Sequence, residues 1–328
     1  MKRRTLGSSL TVSAMGLGCM GLSEFYGPKT PEKEALELLS RAYELGIDFF
    51  DTADAYGPHL NETLLSKFLD GKRGKIKLAS KFGIVRKPGE YARTINNKPS
   101  YIRTACESSL QRLGTEHIDL YYIHRINLDH PIEEAMHALS ELVSEGKIGH
   151  VGICEVSAET LRKAHSVHPV TAVQTEYSLW TRDVEETVLA CCRELGIGFV
   201  PYSPLGRGYL TGTYNENTTF EEGDFRASLP RFTKNSIAAN RSVVEIVKQV
   251  ADSNNCTPAQ VALAWLMSKG EDIVPIPGTK RLSYLEQNTA AAGITLPDSD
   301  LKKLDEHTSS IDIVGERYTE EGMKGLNA

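Results

Sequence analysis

No stretch of this sequence is apolar for long enough to cross a bilayer, and no block of basic residues marks a surface for nucleic acid. The basic start, Met1 to Arg4, lacks the apolar segment that would make it a secretory signal. Six cysteines (Cys19, Cys106, Cys154, Cys191, Cys192 and Cys256) show none of the paired spacing of a zinc site, and two of them are adjacent. Thiols scattered in this way suit a reducing compartment better than a disulfide framework, so a cytoplasmic location is the expectation. The net charge of -6 is modest for 328 residues and points to no strongly charged partner. What the chain does have is an ordinary apolar share, 40%, and a length that permits a sizeable core.

It also has an alternation. A helix is predicted over 30–46, with Thr30 as its cap, Pro31 in its first turn and Gly46 as a left-handed stop. A short apolar run at 47–50 follows and reads as a buried strand. The pairing then repeats: helices over 61–69, 100–113, 131–145, 157–167 and 184–195 precede strands at 76–80, 118–123, 148–153, 171–174 and 197–201. The clearest is 131–145, where Ile132, Ala135, Met136, Leu139, Leu142 and Val143 recur along one face. A last unit has a helix from 257 to 270, a strand at 273–276 and a helix near 282–291. With an early strand at 15–18, about eight strand–helix units result, the pattern of a parallel α/β protein. No composition break divides them, so residues 1–328 read as one domain. A (β/α)₈ barrel is the expected fold, with an N-terminal β-hairpin and two extra helices near 238–251 and 298–306; alternation alone also permits an open, doubly wound sheet. Two long segments, 83–99 and 206–234, follow strands where a barrel places its working loops.

Polar residues gather just after the apolar runs: Asp51 and Tyr56, Lys81, His124, Gln174, then Tyr202 and Ser203. Each alone has an ordinary structural explanation. Together, in a closed barrel, they converge on one mouth. A phenol holds its proton at neutral pH, and a neighbouring ammonium such as Lys81 is expected to lower its pKa by stabilising the phenolate. Asp51 would hold Lys81 in place, and His124 would orient a carbonyl oxygen toward Tyr56. Reduction of that carbonyl needs a hydride, which no side chain supplies, so a cofactor is implied.

These residues resemble the aldo-keto reductase superfamily over nearly the whole chain. The stretch 46–57 (GIDFFDTADAYG) is similar to the family signature around its catalytic Asp and Tyr. SKFG at 80–83, LGTEHIDL at 113–120 and YIHR at 122–125 match the segments of the other two catalytic positions. The resemblance implies a catalytic tetrad of Asp51, Tyr56, Lys81 and His124, with Tyr56 as proton donor. It implies NADPH/NADP⁺ as cofactor and a small aldehyde or ketone as substrate. Tyr202 would stack on the nicotinamide and Gln174 would bond its carboxamide. Ser203, Pro204, Leu205 and Arg207, in PYSPLGRG, would line the pyrophosphate. The turn through Gly278 and Thr279, followed by Lys280 and Arg281, would take the 2′-phosphate, with Gln287 and Asn288 at the adenine; Gly21 joins the cofactor-binding set. Two departures stand out. Cys154–Glu155 replaces the family's common Ser-Asn at the carboxamide, and a free Glu155 carboxylate is expected to favour the oxidised nicotinamide. Tyr284 stands where many members carry an arginine for the 2′-phosphate. The stretch 170–182 and the long loop after the seventh strand resemble the branch of perakine reductase and pyridoxal reductases.

Two other readings stay open at this level. A barrel lyase using Lys81 as a Schiff base leaves Tyr202, Lys280 and Arg281 without roles. An accessory protein like the β-subunits of voltage-gated potassium channels would bind NADPH with little turnover. The sequence fixes neither the particular carbonyl substrate nor the oligomeric state.

Overall fold

The computed structural model describes residues 1–328. It opens with an antiparallel hairpin, β1 (Arg3–Leu6) and β2 (Leu10–Ser13), turning at Gly7 with φ +58°. Then follow β3 (Leu17–Gly18), α1 (Glu32–Glu44), β4 (Phe49–Asp51), α2 (Leu60–Leu69) and β5 (Lys77–Phe82). A small excursion, β6 (Ile84–Val85) with β7 (Thr94–Ile95), leads to α3 (Pro99–Leu113), β8 (Ile118–Ile123), α4 (Ile132–Ser144) and β9 (Ile148–Cys154). The chain continues through α5 (Ala158–Val167), β10 (Val170–Glu176), α6 (Val188–Leu195), β11 (Gly198–Tyr202), α7 (Lys234–Ala239), α8 (Arg241–Ser253), α9 (Pro258–Ser268), α10 (Leu282–Ala290), α11 (Asp298–Ser309) and α12 (Glu320–Met323). No helix is long and apolar enough to cross a membrane.

Seven parallel strands form one sheet in the order β3-β4-β5-β8-β9-β10-β11. The predicted strand at 273–276 closes it. Phe199 donates to the Asp272 carbonyl and Val274 to that of Phe199, while Gly16 on the other side donates to Pro275. This eighth position lacks a regular ladder because Pro275 and Pro201 carry no N–H to donate. The result is a nearly closed (β/α)₈ barrel with its N-terminal hairpin, and the open-sheet alternative is set aside.

Alternation along the strands sorts side chains into two environments. Phe50, Leu78, Tyr121, Ile153, Val173 and Phe199 join the large cluster between sheet and helices. Their neighbours Phe49, Ala79, Leu120, Tyr122, Cys154, Ala172 and Val200 form a separate inner cluster with Val274 and Ile276. Leu6, Leu10 and Val12 of the hairpin belong to that inner cluster, so the hairpin plugs one end of the barrel. The fit there is tight: a Cβ on Gly198 would sit 2.5 Å from Leu6. Two residues further along the same inward-facing rows come Asp51, Lys81, His124, Gln174 and Tyr202, at the opposite end. The apolar layer is thus the floor on which the polar layer stands.

The helix boundaries differ from expectation in informative places. Helix α1 starts at Glu32 with Pro31 as its cap; the Thr30 hydroxyl is buried and makes no capping hydrogen bond, while its N–H donates to the Leu22 carbonyl. Residues 184–187 form a turn before α6. The helix expected at 238–251 is two, α7 and α8, broken at Asn240, whose side chain exchanges hydrogen bonds with the backbone of Val314.

Candidate active site

Lys81 lies at the end of β5, fully buried, and its ammonium has three partners. It donates to the Asp51 carboxylate, to the Thr52 carbonyl at 2.8 Å and to the Tyr56 hydroxyl at 3.1 Å. Asp51, at the end of β4, also accepts from the Gln174 amide at 2.8 Å, so β10 supports the pair from across the barrel. The Tyr56 and His124 rings meet edge to face, 5.7 Å between centroids. Four residues remote in sequence therefore stand in mutual contact at one end of the barrel.

Electrostatics departs from the expectation at Tyr56. Burial raises the phenol's pKa, and the opposing pull of Lys81 does not overcome it, so the net shift is upward, not downward. Tyr56 is a firmly protonated donor. Burial alone would lower the Lys81 pKa, but the Asp51 carboxylate, by its charge and its hydrogen bond, carries it above its ordinary value. Burial drives the His124 pKa well below its usual range, with Lys81, Arg125, Arg93 and Arg86 adding to the effect. A neutral imidazole results, its Nδ1 buried without a hydrogen-bond partner. Burial also pushes the Cys154 thiol up to about 12, leaving it a neutral lining group.

A cleft of about 1050 Å³ begins at Tyr56, Asp51 and His124 and runs past Cys154, Gln174 and Tyr202. It is lined as well by Gly21, by Ser203, Pro204, Leu205 and Arg207, and by Gly278, Thr279, Lys280, Arg281, Gln287 and Asn288. Ser203, Gly206, Arg207 and Gly208 all have positive φ, which folds the segment into tight turns, the Gly206 N–H donating to Ser203 and the Gly208 N–H to Leu205. Lys280 and Arg281 form no ion pair: Lys280 donates to the Tyr26 and Pro28 carbonyls, both at 2.6 Å, and Arg281 lies over the Tyr284 ring. An aromatic tyrosine, this turn and two cations line the one cleft, groups that suit an elongated nicotinamide dinucleotide.

Two residues of the expected cofactor set are used otherwise. Glu155 does not line the cleft. It is fully buried behind Tyr202, in a left-handed conformation (φ +50°), and accepts from the Tyr202 hydroxyl at 2.7 Å and the Arg317 guanidinium at 2.9 Å. Its carboxylate is not free, so the expected bias toward an oxidised nicotinamide is offset by Arg317. Arg207 borders the cleft, but its guanidinium is held bidentate by the buried Glu176 at 2.9 and 2.8 Å. The arginine organises its loop and has little charge left for a pyrophosphate.

Other lining groups carried no sequence signal. Tyr318 donates to the Tyr202 hydroxyl at 2.9 Å and covers Arg207, its ring 4.7 Å away. Phe225, from the loop after β11, bonds through its N–H to Phe25, and Arg226 lies 5.0 Å over the Tyr26 ring. The loops after β3, after β11 and before α10 are thereby tied together at the cleft. Composition and periodicity are silent about such loop-to-loop contacts.

The family model of the aldo/keto reductase family matches residues 14–309. This chain belongs to that family. Solved structures of aldo-keto reductases are similar over nearly the full length. The glycerol dehydrogenase AKR11B4 from Gluconobacter oxydans is 26% identical, with a TM-score of 0.84 over 96% of this chain and 98% of that one. The thermostable aldo-keto reductase Tm1743, solved with the inhibitor epalrestat, is 28% identical with a TM-score of 0.76, covering 93% and 99%. The holo form of aldo-keto reductase AKR11C1 from Bacillus halodurans is 25% identical with a TM-score of 0.78, covering 100% of both chains. Membership in the aldo/keto reductase family implies an oxidoreductase acting on small carbonyl compounds with a nicotinamide cofactor.

Proposed function

We propose that the protein reduces aldehydes or ketones to alcohols with NADPH, Tyr56 acting as general acid. The observation that carries this reading is the buried chain from Gln174 through Asp51 and Lys81 to the Tyr56 hydroxyl, opening beside His124 into the long cleft. Tyr202, on the wall of the cleft, would hold a dihydronicotinamide, which would supply the hydride that the carbonyl carbon needs. Everything else falls to the chain. His124, neutral and on the wall of the cleft, orients the carbonyl oxygen through a ring N–H. Tyr56 gives its proton to that oxygen as charge develops there, and Lys81 stabilises the phenolate left behind. Asp51 keeps the ammonium charged and aimed, while Gln174 holds Asp51. Re-protonation of Tyr56 from solvent completes the balance: one carbonyl, one hydride and one proton give one alcohol.

The phosphate preference rests on Lys280 and Arg281, which line the cleft and have no carboxylate partners. Similarity to a glycerol dehydrogenase makes the reverse direction, alcohol oxidation with NADP⁺, part of the same test. The experiment is a screen of NADPH oxidation against aldehydes, dicarbonyls and pyridoxal, with NADP⁺ reduction against polyols alongside. Turnover in either direction supports the reading. Tight NADPH binding with no turnover of any carbonyl or alcohol would replace it with an accessory role.

A further inference from the structure

The part of the cleft around His124 holds more positive charge than its own carboxylates neutralise. Arg86 is ion-paired with Glu24, Arg317 with Glu155 and Lys81 with Asp51. Arg93 and Arg125 have no such partner. Arg93 donates only to backbone, the Glu321 carbonyl at 3.4 Å and that of Gly322 at 3.1 Å. Arg125 donates to the His124 carbonyl at 2.8 Å. The Nε of each is buried with nothing to bond. Arg125 is only 6% exposed, and both arginines line the cleft together with Tyr56 and His124. Arg93 lies 5.8 Å over the Tyr91 ring, which limits where its plane can turn.

Buried guanidinium groups are rarely left unpaired, because desolvation of the charge is costly without a compensating anion. Arg125, buried, and Arg93, half-buried, with idle donors on the wall of a substrate cleft, make a receptor for a planar or tetrahedral oxyanion. Resting on the carbonyl-reductase reading, we propose that the substrate carries an anionic group, carboxylate or phosphate, seated on Arg93 and Arg125 while its carbonyl meets Tyr56 and His124. Burial is the chief cause of the low His124 pKa and these cations only add to it, so an anion that offsets their share leaves the buried imidazole neutral. A substrate with an uncharged tail leaves both donors unsatisfied, and a site of that kind discriminates strongly against the analogue that lacks the group.

The test compares matched pairs on the wild-type enzyme with NADPH: succinic semialdehyde against its methyl ester, and glyceraldehyde phosphate against glyceraldehyde. In at least one pair kcat/KM is expected to favour the anion by about ten- to a hundredfold; which pair does so tells carboxylate from phosphate. Arg93→Gln and Arg125→Gln are then expected to collapse that ratio, chiefly by raising KM for the anion, and Arg93→Lys to recover part of it. Equal turnover of charged and uncharged partners overturns the inference and leaves the reductase reading standing. No turnover of any of the four, where other carbonyls or alcohols are turned over, likewise overturns the inference; no turnover of any carbonyl or alcohol at all overturns the reading beneath it. A preference that survives both glutamine variants removes the assignment to these two arginines. The wild-type comparison decides the matter even if a variant fails to fold.

Discussion

Replacing Lys81 by Met removes a charge that has no access to water and leaves the Asp51 carboxylate facing Gln174 alone. Three hydrogen bonds disappear, to Asp51, Thr52 and Tyr56. Taking one partner from a buried ion pair costs about 3–5 kcal/mol, most of it the penalty of the orphaned charge. Burial already raises the Asp51 pKa, and without Lys81 it rises further, so the carboxyl takes up a proton and recovers some of that loss. The expected result in urea unfolding near neutral pH is a destabilisation of about 3 kcal/mol. The sign of its pH dependence follows. A carboxyl raised in the folded state destabilises once pH exceeds its unfolded value, so the deficit against wild type narrows as pH falls toward about 4. Lys81→Met/Asp51→Leu, which replaces the pair by apolar groups, is expected to regain much of the stability and none of the activity. Catalysis in the single variant is expected to drop by about a hundred- to a thousandfold through loss of the donor to the phenolate. A stability loss below about 1 kcal/mol, the value of an exposed pair, would refute the argument.

Lys280→Ala is expected to weaken NADPH about tenfold relative to NADH, read by fluorescence titration of both; a loss common to both cofactors would show that Lys280 only tethers the Tyr26–Pro28 loop. Arg317→Gln uncovers the Glu155 carboxylate behind Tyr202 and is expected to raise NADP⁺ affinity several-fold relative to NADPH, a shift that Glu155→Gln added to it should cancel; an unmoved ratio contradicts this. Asp54 is buried with Oδ1 unpartnered, and burial, then Glu62, raises its pKa, so Asp54→Asn is expected to stabilise the protein at neutral pH. That gain should fade as pH falls into the ordinary carboxylate range, where the wild-type group is protonated folded or unfolded; thermal melts across pH check it, and a loss at neutral pH would overturn it.

How much of this was legible beforehand depended on the range of the signal. Glycines at helix ends and apolar runs are local, so 118–123 was placed to the residue as β8, and Gly114 ends α3 in the left-handed conformation expected. The polar residues after those runs were legible as a group, because a parallel barrel brings strand ends to one face whatever the details. Barrel closure at 273–276 was read as an ordinary strand, and only the partners of Pro275 and Pro201 show why it is not one. Lys81 acts on Tyr56 with the expected sign, but sequence does not show how dry the site is, and burial outweighs it. Glu155 and Arg207 were assigned to the cofactor by position, yet each is claimed by a partner far along the chain, Arg317 and Glu176. Such pairs leave no local trace. The C-terminal segment that supplies Arg317 and Tyr318 carries no motif at all, yet it braces the tyrosine on which the cofactor reading depends.

Substituting Phe for Tyr56 deletes one oxygen atom from the cleft and leaves every cofactor-lining group in place. Measured on a carbonyl substrate of the wild type, kcat is expected to fall by at least about a hundredfold, with NADPH affinity unchanged by direct titration. Full activity in that variant would contradict a proton delivered by Tyr56, and with it the role given to the buried Asp51–Lys81 pair.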